Sequence, residues 1–117
     1  MKNTADTLVL LVAFAHFYFL VLEMFLWTKP FGRKVFGSSE EFANASRVLA
    51  ANQGLYNGFL AVGLLWGLGW GPAGDVLKLF SLSCVVVAGI FGGATVSKRI
   101  FYIQAVPAAA ALLLYAI

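Results

Sequence analysis

The stretch AFAHFYFLVLEMFLW, Ala13 to Trp27, sets a histidine and a glutamate inside an otherwise hydrocarbon-rich run. The run extends back to Thr7, which makes it 21 residues long, and at a rise of about 1.5 Å per residue a helix of that length reaches roughly 31 Å. That matches the ~30 Å hydrocarbon core of a bilayer. Three further apolar runs, Val48 to Leu68, Val76 to Val96 and Ile100 to Ile117, reach roughly 31, 31 and 27 Å on the same arithmetic. Apolar residues make up 62% of the 117-residue chain and charged residues 11%. A soluble domain has about 45–50% and 25%, and a water-soluble core cannot hide this much hydrocarbon.

The runs are continuously apolar and lack the period-two polarity of a membrane β-barrel strand. An isolated strand in lipid also leaves backbone donors and acceptors unpaired at several kcal/mol each. The expected fold is therefore all-α: one domain, a four-transmembrane-helix bundle with antiparallel up-down topology, helices near 7–27, 39–68, 75–96 and 100–116. A cleaved export signal is the alternative for the first helix, since MKNT is weakly positive and AFA at Ala13 to Ala15 has the small-x-small form of a cleavage site. The apolar sequence runs twelve residues past Ala15, which favours a retained anchor.

Cations set the expected orientation, because cytoplasmic loops hold the excess of lysine and arginine. Lys29, Arg33, Lys34 and Arg47 follow the first span, and Lys98 and Arg99 lie in the turn before the last. Lys2 and Lys78 fall on the other side. Both basic loops share one side only if four spans are present. The reading is a multi-pass protein of the cell (inner) membrane with both termini away from the cytoplasm. The net charge of +3 then reflects topology and contact with anionic lipid, and no nucleic-acid partner is expected.

Local signals fit these boundaries. Pro30 ends the first helix, Ser38 with Glu41 has the form of a capping box for the second, and Asp75 is placed to cap the third. Gly54 and Gly58, Gly63 and Gly67, and Gly89 and Gly93 are pairs four apart that provide smooth packing faces. Pro107 interrupts the donors of the fourth helix, so a kink or a released carbonyl is expected there.

The polar residues inside the spans are the candidate site. His16 and Glu23 are seven apart and point the same way on a helix. Asn52, Gln53, Asn57 and Gln104 come from other helices. With the orientation above, Glu23, Asn52, Gln53 and Gln104 lie roughly 6–8 Å inside the cytoplasmic boundary, and His16 and Asn57 at about 13–17 Å. A charge at mid-membrane costs about 2.5–3.5 kcal/mol on insertion scales, so Glu23 should face inward and find Asn52, Gln53, His16 or water. The network could serve only to fix helix register, or it could line a pocket that opens to the cytoplasm and binds a small molecule.

LEMFLW, GRKVFG, VLAANQGLYNGFLAVGLLWG and AGIFGGATV together resemble the domain of unknown function 1304 family of small bacterial four-helix integral membrane proteins. The resemblance covers nearly the entire chain and implies a multi-pass membrane protein. It carries no activity over to any residue.

Three functions remain open at this level. One is binding or transport of a small molecule, with a homodimer expected for a carrier of four helices. Another is an embedded enzyme using His16 and Glu23 as acid and base on a lipidic substrate. The third is an accessory subunit of a larger membrane complex. No catalytic residue is assigned. One histidine and one glutamate fall short of a zinc ligand set, a single histidine is weak support for haem, and Cys84 reads as a small apolar filler. No cofactor is assigned.

Overall fold

A computed structural model describes residues 2–117, and Met1 lies outside the described residues. The chain is helical nearly throughout: α1 (Lys2–Met24), α2 (Pro30–Phe36), α3 (Glu40–Gly69), a 3-10 turn (Gly71–Gly74), α4 (Asp75–Thr95), α5 (Lys98–Ile100), a π-helical segment (Phe101–Ala105) and α6 (Val106–Ala116). No strand occurs among the described residues. Four helical stretches are long and apolar enough to cross a membrane: Lys2–Met24, Glu40–Gly69, Gly71–Thr95 and Lys98–Ala116. The fold is all-α.

The residues fall into two compact units, one comprising the chain up to Phe14 with Leu60–Ile117, the other Ala15–Phe59. In the first, Val9, Val12, Ala13, Leu64, Leu82, Val85, Ala108 and Ala111 form a buried core. Small residues bring its helices close. A Cβ on Gly89 would stand 2.6 Å from the Ala105 nitrogen and one on Gly93 2.6 Å from Phe101 Cβ. The pairings 89 with 105 and 93 with 101 show that the two segments run in opposite directions. Ser81 against Gly63 and Lys78 against Gly67 show the same for α3 and α4.

Pro107 leaves α6 intact but alters the turn before it. The Val106 N–H bonds to the Phe101 carbonyl, five residues back, as the last bond of the π segment. Proline lacks a donor and its ring crowds the carbonyl four residues earlier. A widened turn directly ahead of it gives that ring room.

Several boundaries differ from the sequence reading, each for a local reason. α1 starts at Lys2, five residues before the apolar run, since Thr7 Oγ1 donates to the Asn3 carbonyl at 2.9 Å and Asp6 is engaged by a lysine described below. It ends at Met24 and not at Trp27, because the chain folds back into α2, a helix not expected from the sequence. Gly32 permits the fold: a Cβ there would stand 1.8 Å from the Leu26 carbonyl oxygen. α2 closes on Gly37, whose φ of 67° is left-handed and suits glycine.

The cap of α3 is Ser39 and not Ser38: the Phe42 N–H donates to Ser39 Oγ at 3.0 Å, while Ser38 is still held by its own N–H to the Arg33 carbonyl. Ser39→Ala should lower stability by about 1 kcal/mol, the usual worth of such a cap, whereas Ser38→Ala should be close to neutral. Equal losses in a thermal unfolding comparison would refute this placement. Asp75 does not cap α4 either. Gly74 takes that position with no side-chain bond, and the Asp75 carboxylate turns to lysines.

Candidate polar site at Glu23 and Asn57

Within the unit Ala15–Phe59, α1 and α3 meet at a face of small residues. A Cβ on Gly54 would stand 2.7 Å from Met24 Cγ and 3.1 Å from Glu23 Cβ, and one on Gly58 would stand 2.6 Å from Leu20 Cδ1. Gly54, Asn57 and Gly58 are spaced by three and four, so they share one face of α3. The contact therefore delivers Asn57 to α1, and its Nδ2–H donates to Glu23 Oε1 at 2.6 Å. Both side chains are partly buried. The bond ties α1 to α3 through two polar side chains.

Beside this pair lies a cavity of about 270 Å³ whose lining includes Glu23, Phe25, Trp27, Thr28 and Arg47. Its tryptophan is fixed from two directions. The Trp27 Nε1–H donates to Ser46 Oγ at 3.1 Å, and Ser46 donates in turn to the Phe42 carbonyl at 2.7 Å. The Phe36 ring of α2 packs on the indole with centroids 4.9 Å apart. The cavity thus combines a carboxylate, a guanidinium, a hydroxyl and a rigid aromatic wall.

Of the other expected members, His16, Asn52 and Gln53 lie in the same unit. His16 is buried, 2% exposed, with its ring edge-on to Phe19 at 5.3 Å, two turns before Glu23 on α1. Asn52 and Gln53 are exposed. They precede Gly54 by two and one residues, about 200° and 100° around the helix, and so leave the face that meets α1. The carboxylate bonds Asn57, then, and not the Asn52 or Gln53 that depth alone suggested. Gln104 is partly buried in the π segment and belongs to the other unit. Among the described residues no group of three or more His, Cys, Asp or Glu side chains is placed to hold a metal ion.

A second polar cluster, in the other unit, escaped the sequence reading. Lys78, on α4, has a side chain only 2% exposed, and its Nζ lies 3.0 Å from Asp6 Oδ1 and 3.0 Å from Asp75 Oδ1. The Tyr115 hydroxyl donates to Asp6, and the ammonium stands 5.0 Å from the Tyr115 ring centroid. Lys2 adds a looser contact to Asp75 at 3.3 Å. Gly67 makes room for the lysine stem, since a Cβ there would stand 2.5 Å from Lys78 Cγ. Three segments of this unit, α1, α4 and α6, are joined through one ammonium. Two carboxylates and two ammonium groups leave the cluster without net charge.

These features define an all-α protein of four long apolar helices with polar side chains paired between helices. Residues 10–116 match the family described as Protein of unknown function (DUF1304), and the chain belongs to that family. It is similar to the Uncharacterized protein YpaA of Lactococcus lactis subsp. lactis (strain IL1403), 33% identical over 98 residues that cover 81% of this chain and 82% of the relative. No solved structure matches.

Proposed function

We propose that this chain is a multi-pass integral protein of the cell (inner) membrane that binds or carries a small molecule at the cavity lined by Glu23, Trp27 and Arg47, in the cytoplasmic half of the bilayer. Large apolar side chains that face outward support the membrane setting: Leu11, Phe14, Phe59, Phe80, Val87 and Phe91 are each more than half exposed. Soluble monomers rarely expose such residues over a contiguous surface. The excess of Lys29, Arg33, Lys34, Arg47, Lys98 and Arg99 in two loops supports a cytoplasmic side for those loops, with the N-terminal end of α1 and the C-terminal end of α6 facing away.

One observation carries the binding reading: the carboxylate that bonds Asn57 at 2.6 Å also lines a cavity of about 270 Å³ shared with Arg47 and Trp27. Polar groups that converge on a partly enclosed space with an aromatic wall are the usual make-up of a ligand site. An acid–base enzyme is the weaker reading, because the carboxylate's bond goes to an amide and not to the His16 imidazole.

Gently purified protein should retain a small molecule identifiable by mass spectrometry. Glu23→Gln keeps the shape but replaces the carboxyl group with an amide, and should reduce the retained amount about fivefold, the worth of a hydrogen bond of ~1 kcal/mol. Retention that is unchanged in the folded variant would refute the site.

A further inference from the structure

We infer that α2 and its flanking lysine form a docking surface for an anionic phospholipid, with Lys29 and Lys34 meeting the headgroup and Phe31 meeting the acyl region. This rests on the membrane setting proposed above, and it is independent of any ligand at Glu23. Around α2, at about 100° per residue, three faces separate. Gly32 and Phe36 face the end of α1, where Gly32 stacks on the Leu26 carbonyl and Phe36 on Trp27. Phe31 and Val35, four apart, form a second face, and Phe31 is 53% exposed. Lys34, exposed like Lys29 just ahead of the helix, carries the third, while Arg33 is half-buried with its Nε shielded from solvent.

The helix is thus pinned by one face and presents one apolar and one basic face outward. That is the division of an amphipathic segment lying at a headgroup boundary, and α2 directly follows the end of a span. The pinning matters for recognition. Because the Gly32 contact and the Trp27–Phe36 packing hold the backbone, the helix that carries Lys34 and Phe31 is in place before the lipid arrives, which lowers the entropy lost on binding. The carboxylates nearest in sequence are Glu40 and Glu41, which sit in the first turn of α3, where its N-terminal dipole favours them. Neither pairs with Lys29, Arg33 or Lys34 among the described residues. Charge and shape together select a lipid with a negative headgroup over a zwitterionic one.

The test offers the full-length protein in detergent an equimolar mixture of phosphatidylglycerol and phosphatidylcholine and counts retained lipids by native mass spectrometry. Phosphatidylglycerol should be retained several-fold over phosphatidylcholine. Lys29→Gln and Lys34→Gln, both at exposed positions, should each lower that ratio by about fivefold, the equivalent of ~1 kcal/mol per cation at an anionic surface. Phe31→Ser should reduce the retention of both lipids. A wild-type ratio near one, or a ratio indifferent to both lysine substitutions, would overturn the inference while leaving the membrane setting intact. A protein that alkaline carbonate extracts from bilayers would remove the membrane setting and this surface with it.

Discussion

Lys78→Met should destabilise the protein by roughly 2–3 kcal/mol, measured as the shift of its unfolding midpoint in mixed detergent micelles. Methionine retains most of the volume and apolar stem of lysine, so the loss reports charge and hydrogen bonding and not a cavity. Removing one partner of a fully buried ion pair costs about 3–5 kcal/mol, because the remaining charge is left without compensation. The figure is lower here since Asp6 keeps a side-chain exposure of 33% and can draw partly on solvent. Adding Asp6→Asn to Lys78→Met should recover part of the loss, because the stranded carboxylate is then gone. A double variant as unstable as the sum of the two single variants would show that the residues act independently, and would undo the account of the cluster.

Gly74→Ala should be at least as damaging, at or above the upper end of the ~1–3 kcal/mol typical of overpacking. A Cβ at Gly74 would stand 2.0 Å from the Gly67 carbonyl oxygen and 2.7 Å from its carbon. Those atoms are backbone, and no rotamer change can move them aside. Gly69→Ala, at the last residue of α3 and with open space where its Cβ would go, is the matched control and should cost a few tenths of a kcal/mol at most. If the two substitutions shift the midpoint equally, the α3–α4 contact through Gly67 and Gly74 is not as described.

The helices were legible because uninterrupted apolar runs have no other economical form in hydrocarbon. Their ends were less so. Nothing in GRKVFG signals that Gly32 will lie on the Leu26 carbonyl, a tertiary contact, and without it α1 reads as continuing to Trp27. The Glu23–Asn57 bond was half legible. Depth put Asn52 and Gln53 beside the carboxylate, but helical phase decides partners more sharply than depth. The glycines at 54 and 58 already marked Asn57 as lying on the close-packed face.

The Lys78 cluster was fully within reach. The chain has five carboxylates, and the topology read from the cations puts Glu23, Glu40 and Glu41 toward the opposite side. Asp6 and Asp75 are what remain for a lysine set among apolar residues. Counting Lys78 only as an orientation signal hid the question of what neutralises it.

The cluster also orders events in time. It draws on Asp6, Lys78 and Tyr115, so the knot is incomplete until the ribosome has passed residue 115, long after Asp6 has emerged. At about 5–20 residues per second, the aspartate waits several seconds for its partners. The last step that seals this unit therefore waits for the synthesis of α6, and a nascent chain stalled before residue 115 would still lack the Tyr115 contact.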